Sequence, residues 1–155
     1  MNTPIVVGAP SASLLALIGD LPFEGTVVWS NAAELRESSE DLHAAGWDAL
    51  LIDPEDESFS TAAMSHRSQI HGTASVVIVH AEAGLDVCPI STMVLRHLPE
   101  VPVVITGTGA VEAANELEEA ATDLGIDIHT ARDQAHLVDA IQKLSSMPAA
   151  PSKGI

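Results

Sequence analysis

Short runs of β-branched and aliphatic residues punctuate the chain at Ile5 to Gly8, Thr26 to Ser30, Ala49 to Asp53, Ser75 to His80, Pro102 to Thr106 and Ile126 to His129. They recur about every 20 to 27 residues, the rhythm of repeated βα units. Val76-Val77-Ile78-Val79 is apolar without alternation, the pattern of a strand buried on both faces of a parallel sheet. The segments between the runs carry helical periodicity. Leu14, Leu17 and Ile18 mark the first, Leu35 and Leu42 the second, and Val111, Ala114, Leu117, Ala121 and Leu124 the fifth. Ser60 to His71 and Ile90 to Leu98 read as less regular helices, with Ala81 to Pro89 as a loop.

Local signals place the helix ends. Asn31 with Glu34 three residues on reads as a capping box, and Gly46 and Gly125 stand where a left-handed C-terminal cap is wanted. Asp133 is positioned to cap a last helix containing Leu137, Val138, Ile141 and Leu144, with Lys143 in its favourable last turn. The expectation is a doubly wound parallel α/β sheet of five or six strands with helices on both faces, over residues 1–146. A flexible tail or linker at 147–155, with Pro148 and Pro151, completes it.

Composition narrows this picture. The 155 residues suit one domain, and a 46% hydrophobic share with only 3% aromatics means a core of Val, Ile, Leu and Ala. Six Lys and Arg against 22 Asp and Glu give a formal charge of -16, a self-repulsion that molar salt would screen. The acidic balance with only two lysines resembles proteins of salt-accumulating halophiles. A phosphate backbone is excluded as a partner, because no cations cluster. Cys88 is the single cysteine, read as a small apolar residue in a reducing compartment. No Lys or Arg precedes Arg36, so a signal peptide is not expected, and no apolar run approaches a bilayer span. The expectation is a cytoplasmic protein.

Ligands of open parallel sheets gather at the carboxyl edge of the strands. There the sequence puts Gly8-Ala9-Pro10, Ser30-Asn31, Asp53-Pro54, His80-Ala81, Thr106-Gly107-Thr108-Gly109 and His129-Thr130. Trp47 to Pro54 ends a buried strand on Asp53, and Leu95 to Gly107 runs from a helix into a strand ending in Thr106. Together these stretches resemble a response-regulator receiver, of degenerate or pseudo-receiver type and hence of flavodoxin-like fold. That resemblance implies a signalling module acting through protein contacts, not an enzyme, with Asp53 as phospho-acceptor, Thr106 as switch hydroxyl and a histidine kinase or downstream signalling protein as partner. It also implies Mg²⁺, but Gly8-Ala9 replace the acidic pair that would hold the ion, and Arg132 stands one residue from the phosphate-pairing position. The Asp53-to-Thr106 spacing is one βα unit too long. Either Glu55 to Gly84 is an inserted unit, or the domain has six strands and His80 takes the switch position.

Other chemistry competes. Asp53 can instead cap the turn after its strand, and Glu55, Asp56 and Glu57 beside it either bind Mg²⁺ or Ca²⁺ or form a solvated loop. Thr106 to Gly109 opens a helix directly after a strand, so Gly107, Thr108 and Gly109 can serve a small-ligand or nucleotide-binding Rossmann-like domain or merely make a tight turn. Among seven histidines, His66 and His71 are spaced five apart, poor geometry for a shared metal, and His80 and His129 could share an edge. No G-x-S-x-G elbow supports nucleophilic hydrolysis.

Overall fold

The computed structural model describes residues 3–21, 24–72, 74–84, 86–98, 101–126, 128–131 and 136–140. Among the described residues the elements run in the order β1 (Thr3–Val7), α1 (Ala12–Asp20), β2 (Thr26–Trp29), α2 (Ala32–Glu37), α3 (Ser39–Ala44), β3 (Asp48–Leu51), α4 (Glu57–His71), β4 (Ala74–His80), α5 (Cys88–His97), β5 (Val103–Thr106), α6 (Ala110–Leu124) and β6 (Ile128–Thr130). Every strand pair is parallel, and the sheet order is β3-β2-β1-β4-β5-β6. From β1 the chain adds strands in one direction as far as β3, crosses back to β4, and continues the other way. Right-handed crossovers therefore put α1 to α3 on one face and α4 to α6 on the other. This is the doubly wound parallel class expected from the sequence.

The strand order corrects the receiver resemblance. A receiver winds 2-1-3-4-5, with its phospho-acceptor strand beside β1. Here β4 adjoins β1, and β3 is an edge strand. The Ser75 to His80 run is no insertion; it is the central strand of a six-stranded sheet. Val76 to Val79 are wholly buried, because β4 lies between β1 and β5 with helices above and below.

Two helices depart from their expected form for local reasons. The segment with Leu35 and Leu42 breaks at Ser38, whose backbone leaves helical geometry (φ -97°, ψ 0°) and whose hydroxyl donates to the Pro10 carbonyl. Asn31 caps α2 by accepting from the Glu34 N–H. Glu34 does not close the capping box; its carboxylate accepts from Trp29 Nε1 at 2.7 Å. In α6 the buried stripe is Ala110, Ala113, Leu117 and Ala121, while Val111 is 72% exposed. The expected stripe was thus one residue out of phase at its start, since alanines on both faces make the two registers hard to tell apart. Gly125 ends α6 in the left-handed conformation, as expected. Residues 136–140 are helical, with Leu137 buried. Asp133, Ile141, Lys143, Leu144 and the 147–155 tail lie outside the described residues.

Two substitutions probe this core. Ile78→Ala should lower unfolding free energy by roughly 2–5 kcal/mol, whereas Val111→Ala should stay within about 0.5 kcal/mol of the parent. Denaturant titration by circular dichroism measures both.

Candidate functional site

The winding reverses between β1 and β4, so no crossover loop covers the space between their carboxyl ends, and this is where open α/β sheets take ligands. Gly8 closes β1 there; a Cβ on it would stand 2.9 Å from the His80 carbonyl oxygen, so its role is to let β4 approach. Ser11 then caps α1, accepting from the Leu14 N–H. From β4 come His80 and Glu82. Ser11 Oγ donates to Glu82 Oε1 at 2.8 Å, and Ser13 Oγ lies 3.2 Å from His80 Nε2. Thus the start of α1 is tied to the end of β4 by two side-chain contacts.

His80 is 4% exposed, and its Nδ1 is buried without a hydrogen-bond partner. Burial pushes its pKa below the ordinary 6.5, opposed by the nearby Glu82 carboxylate, because desolvation disfavours the imidazolium. Burial thus favours the neutral ring.

Beyond Glu82 a pocket of about 320 Å³ opens between the 81–88 segment and α6. Glu82, Asp86, Glu112 and Glu116 line it with Cys88, and no Lys or Arg does. Asp86, Cys88 and Glu116 bring ligand atoms within 4.8 Å of one another, the one such grouping among the described residues. Burial and the two carboxylates push the Cys88 thiol up to about 12; the residue is partly exposed.

The sequence-derived candidates fall into place around this site, most of them with other work. Asp53 and Thr106 share the carboxyl rim, but β2, β1 and β4 stand between their strands, a separation of about 19 Å at about 4.8 Å per strand. They cannot act as acceptor and switch. Asp53 Oδ1 accepts from the Glu55 N–H, making the turn cap that was the alternative, and Asp56 caps α4 through Phe59. Thr106 is buried at the end of β5, in register with His80. Gly107 and Gly109 pack on the 81–83 backbone: a Cβ on Gly107, which has φ +105°, would fall 2.1 Å from the Ala81 oxygen, and Gly109 N–H donates to that oxygen. Thr108 Oγ1 accepts from the Ala83 N–H. The 106–109 loop therefore buttresses the 81–84 segment, and its glycines are accounted for by that close approach. His71 pairs with Asp48 at 2.6 Å, His66 is exposed, and His129 lies two strands from His80 at a different level. Arg132 lies outside the described residues.

No known family model matches the chain, and no curated protein does. Solved structures do. A metagenomic short-chain oxidoreductase in complex with NADP aligns with TM-score 0.58 at 12% identity, over 96% of this chain and 91% of that one. A short-chain type dehydrogenase/reductase from Mycobacterium ulcerans gives TM-score 0.59 at 16% identity, over 84% and 66%. BdcA from E. coli gives 0.51 at 15%, over 93% and 89%. At these identities the likeness is one of fold: a Rossmann-like α/β domain. It overturns the response-regulator and phosphorelay reading, because two of these neighbours are short-chain dehydrogenase/reductase in type and the strand order of this chain is not a receiver's.

The residues present do not fit a dinucleotide. Of the three glycines in G-x-G-x-x-G only Gly8 is kept; Pro10 and Ser13 hold the other positions, so a backbone donor is lost and a side chain added where a pyrophosphate must approach closely. Ser30 and Asn31, not an acid, stand directly after β2 where a ribose hydroxyl would be taken; Asn31 caps α2, and the carboxylate of Glu34 further on accepts from Trp29 Nε1. The Glu82 carboxylate already sits at the start of α1, where it would repel a phosphate. Among the described residues, no helix is long and apolar enough to cross a membrane.

A pH titration follows from His80. Its folded pKa is depressed, so its neutral burial contributes stability in full above about 6.5 and progressively less as pH falls from there towards the folded value. Melting temperature should drop through that acid window, and His80→Gln should flatten this part of the profile. Cys88, with its thiol held protonated to about pH 12, should react with iodoacetamide at pH 8 far more slowly in the folded protein than after denaturation.

Proposed function

We propose that the chain is a small-ligand-binding domain of Rossmann-like type that takes a cationic or neutral ligand at its carboxyl edge and does not use a dinucleotide. The observation that carries this reading is the convergence of Ser11, Ser13, His80 and Glu82 on the β1/β4 switch point. In a doubly wound sheet that place is the usual ligand crevice. The neighbouring pocket, bordered by Glu82, supplies four carboxylates and no cation, so its field favours positive charge and disfavours phosphate. The fold likeness to short-chain oxidoreductases, one of them solved with NADP, supports binding at this edge. The loss of the glycines and the presence of Glu82 argue for a different ligand from theirs.

Differential thermal stability tests this reading. At matched ionic strength, spermidine, a small amino alcohol, Mg²⁺, AMP and NADP⁺ are compared; a ligand at 100 times its Kd stabilises the fold by about 2.7 kcal/mol. At least one cation should raise the melting temperature, and Glu112→Gln with Glu116→Gln should weaken that rise. A shift with nucleotides alone would reverse the assignment.

A further inference from the structure

We propose that Ser13 is a nucleophile for acyl transfer, with His80 as its general base, acting on a small ester or thioester that carries a positive charge. The proposal rests on the reading of the switch-point crevice as a ligand site and adds a reaction to it.

The geometry meets three requirements at once. First, an exposed hydroxyl faces a buried imidazole: Ser13 Oγ is 3.2 Å from His80 Nε2, within the looser distances of unliganded nucleophile and base pairs. Burial disfavours the charged ring, and in the tautomer that carries its proton on Nδ1 the Nε2 lone pair accepts the hydroxyl proton. Second, charge that develops on the ring has a counterpart. No carboxylate bonds Nδ1, yet Glu82 acts on His80 through space and is itself held by Ser11. Third, donors for an oxyanion stand beside the nucleophile. Ser11 Oγ satisfies the Leu14 N–H and its carbonyl the Leu15 N–H. The Ala12 and Ser13 N–H groups, first in α1, have no acceptor within the helix, and such groups stabilise a developing oxyanion. Glu82 also borders the acidic pocket, which places the positive end of a substrate there and its acyl carbon towards α1.

The step balances without a cofactor. Ser13 Oγ bonds to the carbonyl carbon and its proton passes to His80 Nε2; the C–O or C–S bond breaks, and the alcohol or thiol leaves with that proton. Water then adds to the acyl carbon, giving a proton to His80, and the carboxylic acid departs as Ser13 Oγ takes the proton back.

Full-length protein in molar KCl is treated with a fluorophosphonate, with intact mass and peptide mapping as the readout. A single adduct on Ser13 is expected, absent from Ser13→Ala, with His80→Gln labelled about 10²-fold more slowly. Because His80 is buried and its variant can lose the fold, Ser13→Ala, an exposed position, is the deciding arm, with circular dichroism as the fold control. Acetylthiocholine should be hydrolysed faster than an anionic thioester. An unmodified wild type, or an adduct that survives in Ser13→Ala, overturns the proposal. If a cation raises the melting temperature while Ser13 stays unmodified, acyl transfer fails and the ligand-binding reading stands. An adduct on Ser13 with no melting shift from any cation keeps the nucleophile and overturns the charge preference.

Discussion

Reversal of the winding at β1 and β4 is the constraint on which the rest of the structure depends. Strands laid outward in both directions from the centre leave the carboxyl ends of β1 and β4 side by side with no loop joining them. Something must fill the gap and satisfy the start of α1. In this chain side chains from both elements narrow it. Gly8 lets β4 come close, Ser11 and Ser13 reach across from α1, and Glu82 and His80 meet them. The 106–109 loop then packs behind the 81–84 segment so tightly that Gly107 admits no Cβ. A carboxylate belonging to the chain occupies ground that a dinucleotide phosphate takes in the fingerprint-bearing version of this fold.

Much of the architecture was legible because it follows from local chemistry. Six apolar runs at βα spacing, with Val76 to Val79 buried throughout, require a parallel sheet covered on both faces. Each appears as a strand within a residue or two of its expected ends. What local chemistry does not encode is the order in which strands are laid down. The βα rhythm of a 2-1-3-4-5 receiver and of a 3-2-1-4-5-6 sheet is the same, so Asp53 at the end of an apolar run looked like an acceptor until β3 proved to be an edge strand. The break at Ser38 was likewise invisible, since it depends on the Pro10 carbonyl in a distant loop.

The site itself was only half legible. His80 was identifiable at a strand end, and the six-strand alternative already gave it the key rim position. Ser13 carried no signal: it sits inside a helix start, 67 residues from its partner, and no spacing rule joins them. Glu82 lay in what read as a featureless loop. The missing glycines at Pro10 and Ser13 could have been read as a departure from phosphate binding, had the strand order been known. Acidity obscured the picture further, because against 22 carboxylates in the chain the four that line one pocket do not stand out until they are brought together.

Substitution of a side-chain carboxylate for a bound phosphate is the central claim, and calorimetric titration with inorganic diphosphate tests it directly. The wild-type protein and Glu82→Gln are compared at the same ionic strength. The account predicts no binding heat for the wild type and measurable binding once the charge at the start of α1 is removed. Diphosphate binding to the wild type as tightly as to Glu82→Gln would contradict it.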